Sequence, residues 1–461
     1  MPWLIAKPGC PVCRATVERT RRLLFWYREE SYNSAPWIER LSRCWGFCRQ
    51  HTWDVVTAGA RHELTFGAEF LSRQAAARLG RLDAALRPDR TGGLRQTREA
   101  AVSAASVALS PEDPCPICTT LAGDARDLLD LLHSLRDRQE AEQYAVADGL
   151  CESHYARAAE LATPVAPAEL GLLSAAQTRS RRATLAAAGA GGVDAYGRQL
   201  SLIAGWRFGP APQASLSRSD GAAAERESFA AHPVDRHWLK TQIPRAASFS
   251  ALALMPGCPL CRLRELRRYE LYTDLLAQHQ GAAGSLPRLC RVHVWELFDC
   301  DDERRLPPVW SSLLESRLTE GRPAADDERP MVVPPALHCP ACEANAAADA
   351  EALEKGGFND APAVVCLPHL VSMVQAGEPA FELAAKLAQV FAALNQEIGE
   401  YFRKLDYRFS NEPKGREQSA GLRALALLNG SPPLFRRELV ESLSACGGWS
   451  YRAGTTGGSL S

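Results

Sequence analysis

The chain has 461 residues, of which 46% are hydrophobic and 23% are charged, and its formal net charge is -1. These values are ordinary for a globular protein, and they exclude a low-hydrophobicity disordered chain and a strongly basic protein that binds nucleic acid through its overall charge. The sequence has no uninterrupted apolar run long enough to cross a membrane, and its start lacks the pattern of a secretion signal. We therefore expect a cytoplasmic protein of two or three domains with no membrane association.

The sequence contains four copies of one pattern, in which a Cys-Pro-x-Cys turn is followed by a Cys-x-x-His motif. Three thiolates and one imidazole form the ligand set of a structural zinc site. The first two copies predict metal sites at Cys10, Cys13, Cys48 and His51, and at Cys115, Cys118, Cys151 and His154. The last two copies predict metal sites at Cys258, Cys261, Cys290 and His293, and at Cys339, Cys342, Cys366 and His369. Each copy is predicted to form its own local metal module, over about residues 8–60, 113–162, 256–300 and 337–376.

Helices are predicted both between the two motifs of a copy and after the second motif. After the third Cys-Pro-x-Cys motif, Leu263, Leu266 and Tyr269 begin an apolar series with spacings of three and four residues. Residues 52–60 follow the first Cys-x-x-His motif without a helix breaker, so a helix is predicted to begin at that motif, where free N–H groups favour a thiolate. No long alternating pattern predicts a strand. The predicted fold class is mainly α, built from tandem zinc-stabilised helical modules.

The four copies pair into two duplicated halves. Pro-Gly precedes the first and third copies only, and each pair of copies is followed by an aromatic and basic phrase, Trp206-Arg207-Phe208 or Tyr407-Arg408-Phe409. The predicted divisions are an N-terminal half at 1–208, a linker at 209–247, a C-terminal half at 248–430 and a C-terminal tail at 431–461. A long helix is predicted over 379–405, packed across both modules of its half, against a counterpart over 167–202, or along a dimer seam.

Zinc is the predicted cofactor, with up to four ions, because thiolate and imidazole ligands match its borderline softness. An iron–sulfur cluster remains an alternative, since it uses the same ligand elements. A catalytic zinc needs an open position, whereas each copy supplies four ligands. The segment around Cys10-Pro11-Val12-Cys13 is similar to a glutaredoxin active site, but the motif recurs three more times and no β segments surround it. The sequence therefore predicts no catalytic residue and favours a non-enzymatic role, with thiol redox chemistry as an alternative.

The remaining cysteines, Cys44, Cys300 and Cys446, are interpreted as buried or free thiols outside the metal sites. The predicted function is a structural scaffold or an adaptor whose partner is another protein. Nucleic-acid binding is a less favoured alternative, because the basic residues that C2H2 recognition helices place before two closely spaced histidines are missing. A homodimer also remains open.

The Cys-Pro-x-Cys motifs, the phrase Gly46-Phe47-Cys48-Arg49-Gln50-His51 and the terminal segment Phe402-Arg403-Lys404-Leu405-Asp406-Tyr407-Arg408-Phe409 together resemble those of a family of uncharacterised bacterial cytosolic proteins. The likeness is best over the C-terminal half. It is weaker over the N-terminal half, where Trp206-Arg207-Phe208 lacks the preceding Lys and Asp. The resemblance implies a bacterial metal-binding domain, and it assigns no activity or catalytic residue.

Overall fold

A computed structural model describes residues 9–57, 59–86, 103, 106–147, 149–162, 167–187, 257–278, 289–300, 339–355, 364–376 and 380–432. Helices account for most of these residues, and no strand occurs among them. The predicted mainly α fold is therefore confirmed. The linker predicted at 209–247 and nearly all of the tail predicted at 431–461 lie outside the described residues.

The described helices are numbered here in chain order. In the N-terminal part they are α1 (Pro11–Trp26), α2 (Ala35–Cys44), α3 (Arg49–Thr57), α4 (Arg61–Leu86), α5 (Pro116–Leu121), α6 (Asp124–Ser134), α7 (Arg138–Val146), α8 (Glu152–Ala162) and α9 (Pro167–Ala187). In the C-terminal part they are α10 (Pro259–Gln278), α11 (Arg291–Cys300), α12 (Pro340–Lys355), α13 (Leu367–Gln375), α14 (Phe381–Arg403) and α15 (Ala420–Asn429). Helix α14 corresponds to the long helix predicted over 379–405.

Proline opens one helix at each Cys-Pro-x-Cys motif. These prolines are Pro11, Pro116, Pro259 and Pro340, at the first positions of α1, α5, α10 and α12. Proline suits this position because its φ angle is already helical and its missing N–H would have no intrahelical partner. The carbonyl of Cys10 accepts a hydrogen bond from the N–H of Arg14 at 3.1 Å, which closes the first turn of α1. The predicted Cys-Pro-x-Cys turn is therefore the first turn of the helix that follows it.

Each Cys-x-x-His motif also begins a helix, as the sequence predicts. Helices α3, α8, α11 and α13 start at the residue that follows the cysteine. The carbonyl of that cysteine again accepts the first intrahelical hydrogen bond, for example from Tyr155 N–H to Cys151 O at 2.8 Å. All eight ligand motifs thus lie at helix N-termini.

The chain divides into two compact units, described here separately. Unit I contains Met1–Leu23, Cys118–Val234 and Arg268–Ala344, and unit II contains Leu24–Ile117, Asp235–Arg267 and Asn345–Ser461. Each unit combines segments from both predicted halves of the sequence. The halves at 1–208 and 248–430 were inferred from a repeat in the sequence, and this division of the chain stays a prediction.

In unit II, α14 packs along α4, and α15 packs against both. Helix α15 is buried over its whole length. A side-chain hydrogen bond between Ser72 Oγ and Asn395 Oδ1, 2.7 Å apart, joins α4 to α14. Within unit II, the principal partners of α14 are therefore α4 and α15.

In unit I, α8 packs on α6, and α9 packs on α7 and α8. Their apolar side chains form one buried cluster that includes Leu128, Tyr144 and Leu173. The same cluster contains Cys10, Cys13 and Cys151, so these thiols are part of the hydrophobic core. None of the described helices combines the length and hydropathy needed to cross a membrane.

Candidate metal centres

The sixteen predicted ligands converge in four Cys3His clusters, but the ligand motifs are not grouped copy by copy. The first site contains Cys10, Cys13, Cys151 and His154, and the second contains Cys48, His51, Cys115 and Cys118. The third site contains Cys258, Cys261, Cys366 and His369, and the fourth contains Cys290, His293, Cys339 and Cys342. Within each site, all ligand atoms lie within 4.8 Å of one another.

The predicted local pairing of motifs was therefore wrong. In each half the outer motifs form one site and the inner motifs form another, so the sites are nested along the sequence. The physical reason is that the two motifs of a copy are separated by rigid helices. Helix α1 alone has 16 residues and a length of about 24 Å, and it leads the chain away from Cys13 before α2 and the next motif are reached. The motifs pair in the same nested order in both predicted halves, as a duplication of one half would produce.

Two helix N-termini meet at every site, one from each contributing motif. At the first site they belong to α1 and α8, and at the third site to α10 and α13. Free N–H groups and the positive end of the helix dipole both stabilise a thiolate over a thiol. The fold thus provides a favourable electrostatic environment for ionised cysteines before any cation is considered.

The distances between ligand atoms fit one tetrahedral ion per site. The Sγ atoms of Cys13 and Cys151 lie 3.8 Å apart, as do those of Cys261 and Cys366. A metal–sulfur bond of about 2.3 Å in a regular tetrahedron gives a sulfur–sulfur edge of about 3.8 Å. The histidine Nδ1 atoms lie 3.0 to 3.6 Å from the sulfurs, close to the edge of about 3.5 Å expected for mixed sulfur and nitrogen ligands.

In all four sites the histidine presents Nδ1 to the thiols. The four residues are His51, His154, His293 and His369. An Nδ1 ligand leaves the proton on Nε2, which becomes a donor on the outer side of the ring. At the first site that donor lies 2.9 Å from Oδ2 of Asp124.

The first and third sites have carboxylates at related positions, which the sequence analysis missed. Asp124 follows Cys118 of the second site by six residues, and it approaches His154 of the first site. Asp349 follows Cys342 of the fourth site by seven residues, and it approaches His369 of the third site. Asp124 also accepts a hydrogen bond from Thr16 at 2.9 Å. Asp349 lies 3.8 Å from Nε2 of His369. An acidic residue six or seven residues after the second cysteine of copies two and four was a signal that could have identified both residues.

Arginine distinguishes the two carboxylates. The guanidinium of Arg264 grips both oxygens of Asp349, with its Nε 2.6 Å from Oδ1. Near Asp124, the guanidinium of Arg19 lies 3.9 Å away and pairs more closely with Asp127, at 2.5 Å. Asp124 is therefore available to the imidazole of its site, whereas Asp349 is held by a strong cationic partner.

Burial and hydrogen bonding shift the pKa values of the first site's ligands in different directions. Burial raises the pKa of the thiols of Cys10 and Cys13, whereas hydrogen bonds from these two thiols hold the pKa of Cys151 well below its usual value. Burial disfavours the imidazolium of His154, but the charge of Cys151 and the bond to Asp124 raise its pKa to about 12. A divalent cation is the group that would allow all three thiols to ionise.

A short segment after α15 connects the third site to α3 within unit II. The hydroxyl of Ser431 accepts a hydrogen bond from the N–H of Cys258 at 2.7 Å, and the N–H of Ser431 lies 3.4 Å from Sγ of Cys261. From α3, Arg49 donates to Ser431 O at 2.8 Å and Trp53 donates to Gly430 O at 3.0 Å. The sequence analysis had placed Ser431 in the C-terminal tail, and no local pattern in the sequence marks its role.

The sites differ in their exposure to solvent. All four ligands of the first and third sites are buried. At the second site Cys48 and Cys118 are half-buried. At the fourth site Cys342 is exposed, and Cys290 and Cys339 are half-buried. Reagents in solution therefore have the most direct access to the fourth site.

Cysteines outside the pattern do not enlarge the described clusters. Cys44 and Cys300 are buried, and neither belongs to a ligand group. The Sγ of Cys44 lies 3.1 Å from the carbonyls of Arg40 and Gly46, and burial raises its thiol pKa to about 12. Cys446 lies outside the described residues.

Comparisons of the chain with protein-family models, with curated proteins and with solved structures found no match. The geometry and chemistry of the four clusters therefore carry the functional argument. In the described part of the chain, four Cys3His groups are able to hold metal ions, and each supplies a complete set of four protein ligands.

Proposed function

We propose that this protein is a zinc-binding structural scaffold that acts as an adaptor for another protein. The observation that carries this proposal is the convergence of four protein ligands at each site, drawn from segments as far apart as Cys13 and Cys151. A closed tetrahedron leaves no open position for a substrate or a reactive water. The role of the metal is then to join helices that are distant in the sequence.

Zinc is the metal that fits this donor set best. It accepts thiolate and imidazole ligands together and imposes no geometry of its own. An iron–sulfur cluster spreads its thiolates over several irons. Sulfur atoms 3.8 to 3.9 Å apart favour a single ion instead. This separation supports zinc over the iron–sulfur alternative.

The expected energetic contribution of zinc is large. Structural zinc in small modules contributes roughly 10 to 16 kcal/mol of apparent binding free energy at neutral pH. A domain is stabilised by about 5 to 15 kcal/mol in total. Occupancy of one site is therefore sufficient to decide whether the helices around it remain folded.

Elemental analysis of the freshly purified full chain tests the metal assignment. We expect about four zinc ions per chain and no visible absorption from iron. Removal of the metal with a strong chelator is expected to reduce the helical circular dichroism signal, and added zinc is expected to restore it. Iron with inorganic sulfide, or a chain that keeps its helicity and stability without metal, would contradict the proposal.

The segment that follows α14 presents a surface suited to a protein partner. Leu405 is 52% exposed and Tyr407 is 84% exposed, so two large side chains only two positions apart in sequence are open to solvent. Cations nearby are already paired, Arg403 with Glu400 and Glu412 and Arg408 with Asp406. Phosphate groups would have to compete with these carboxylates, so the surface favours a protein over nucleic acid.

A two-variant comparison tests the adaptor role. Affinity capture from the native host is expected to recover a partner protein with the wild-type chain but not with the Leu405→Ala, Tyr407→Ala double variant. Leu129→Ala, at a residue that is 48% exposed on α6, is the matched surface control and should retain the partner. Equal thermal stability of all three proteins would show that the loss is local. Retention of the partner by the double variant would exclude this surface, and salt-sensitive capture of nucleic acid alone would favour the alternative function.

A further inference from the structure

The fourth site has a reactive geometry that the first and third sites lack. Its cysteines are exposed or half-buried, whereas every cysteine of the first and third sites is buried. The Sγ atoms of Cys290 and Cys342 lie 3.9 Å apart. The Nδ1 atom of His293 lies 3.2 Å from the sulfur of Cys339 and 3.4 Å from that of Cys342. One solvent-accessible thiolate thus has a second thiolate within reach of a small side-chain movement.

Metal coordination keeps these sulfurs ionised at neutral pH, and the thiolate is the form that attacks oxidants. Susceptibility to oxidation then depends on access, because thiolates buried in a packed core are shielded from small reagents. A disulfide needs a sulfur–sulfur distance of about 2.05 Å. The two sulfurs therefore have to approach each other by somewhat less than about 2 Å, which side-chain rotation at two helix N-termini can provide.

We propose that the fourth site is a modification site for hydroperoxides, at which oxidation of Cys342 and Cys290 releases the bound metal. The inference rests on the zinc occupancy proposed above and adds a chemical reactivity to one site. Its consequence is that a peroxide signal would change the fold around α11 and α12 selectively. The buried first and third sites would keep their metal and hold their helices together.

The chemistry requires one equivalent of peroxide and no other oxidant. The thiolate of Cys342 attacks the peroxide, so an S–O bond forms, the O–O bond breaks and hydroxide leaves. The thiolate of Cys290 then attacks the resulting sulfenic acid, so the S–S bond forms and a second hydroxide leaves. The two sulfurs lose two electrons in total, and the peroxide is reduced to two hydroxides that become water. Only Cys339 and His293 would then remain able to hold the metal, two ligands fewer than a closed site needs.

The zinc-loaded, full-length chain tests this directly, with hydrogen peroxide as the probe. Peroxide is added up to one equivalent, released zinc is followed with a colorimetric chelator, and free and oxidised thiols are labelled with two isotopic forms of one alkylating reagent. We expect one zinc to leave as the thiols of Cys290 and Cys342 are lost. The thiols of the first and third sites should react at least about tenfold more slowly. Equal rates at all sites, or a disulfide between Cys339 and Cys342, would overturn the proposal.

A pair of variants isolates the second step. In Cys290→Ser, Cys342 is expected to accumulate sulfenic acid that dimedone traps, and no disulfide should form. Cys300→Ser, at a buried cysteine of the same helix outside the cluster, is the matched control and should behave like the wild type. If Cys290→Ser does not fold, the wild-type labelling still decides the question.

Metal analysis before the addition of peroxide separates this inference from the proposed function. A chain without zinc would reject both. A chain with four zinc ions that are all released at one rate would reject only the reactivity of the fourth site.

Discussion

The Nε2 atom of His154 lies 2.9 Å from Oδ2 of Asp124. This hydrogen bond fixes the orientation of an imidazole whose Nδ1 faces the thiols of the first site. Loss of such a partner typically lowers metal affinity by about 10- to 100-fold. We therefore expect Asp124→Ala to bind zinc at the first site more weakly by this factor. Chelator competition, combined with alkylation of Cys10, Cys13 and Cys151, measures the effect at the correct site.

Asp349→Ala provides the comparison within the same chain. Asp349 lies 3.8 Å from Nε2 of His369 and is gripped by Arg264, so its orienting effect on the imidazole is weaker. We expect the third site of this variant to lose less affinity than the first site of Asp124→Ala. An equal loss in the two variants would mean that the hydrogen bond is not the cause.

A second prediction follows from the nested pairing of the ligand motifs, and pairing of the two motifs within one copy does not predict it. Substitution of Cys13 by Ser should expose Cys151 to alkylation, although the two residues are 138 positions apart. Cys48, which lies nearer in sequence, should stay protected because it belongs to the second site. Quantitative labelling of the zinc-loaded variant, with Cys48→Ser as the reciprocal control, measures both outcomes. Protection of Cys151 together with exposure of Cys48 would restore the local pairing.

The ligand types could be predicted from the sequence because metal chemistry requires particular residues at short, fixed spacings. The motif Cys10-Pro11-Val12-Cys13 could be recognised from this spacing alone. Helix α14 could be predicted from the periodic spacing of its apolar residues. Which motifs meet could not be predicted, because that depends on where intervening helices such as α1 and α2 lead the chain. Short-range patterns contain no information about that direction.

Two interactions that support the metal sites could not be predicted from the sequence, for a related reason. Asp124 lies six residues beyond Cys118 but serves the histidine at position 154, so its role depends on packing between helices. Ser431 follows a Gly and precedes a Pro in a segment that is typical of a tail, yet it is fully buried against Cys258. The packing of α14 against α4 was also hidden, since α4 has many alanines and only a weakly defined apolar face.

Ser431→Ala is expected to weaken the third site. The substitution leaves the buried N–H of Cys258 without its hydroxyl acceptor, and an unsatisfied buried group costs about 1–3 kcal/mol. The backbone N–H of Ser431 near Cys261 is retained, so the variant isolates the hydroxyl. Chemical unfolding and the rate of zinc release to a chelator measure the effect. Ser110→Ala, at a half-buried serine whose hydroxyl donates to the carbonyl of Ser106, is the control and should change stability little. Equal release rates in the two variants would rule out a role for the Ser431 hydroxyl.

Two glycines in helices test the packing of α15 against α4. A Cβ atom at Gly421 would lie 2.2 Å from Oγ1 and 2.7 Å from Cβ of Thr65, so alanine forces the two helices apart. We expect Gly421→Ala to destabilise the fold by about 1–3 kcal/mol, as overpacked cores do.

Gly399 of α14 is the matched control, because nothing lies within 4 Å of the corresponding Cβ position. Gly399→Ala should instead stabilise the protein by about 0.5–1 kcal/mol, since alanine is the better helix former. Denaturant unfolding of the zinc-loaded proteins measures both changes. The opposite signs matter, because helix propensity alone predicts stabilisation at both positions. Stabilisation by Gly421→Ala would therefore show that α15 does not approach α4 as closely as this structure places it.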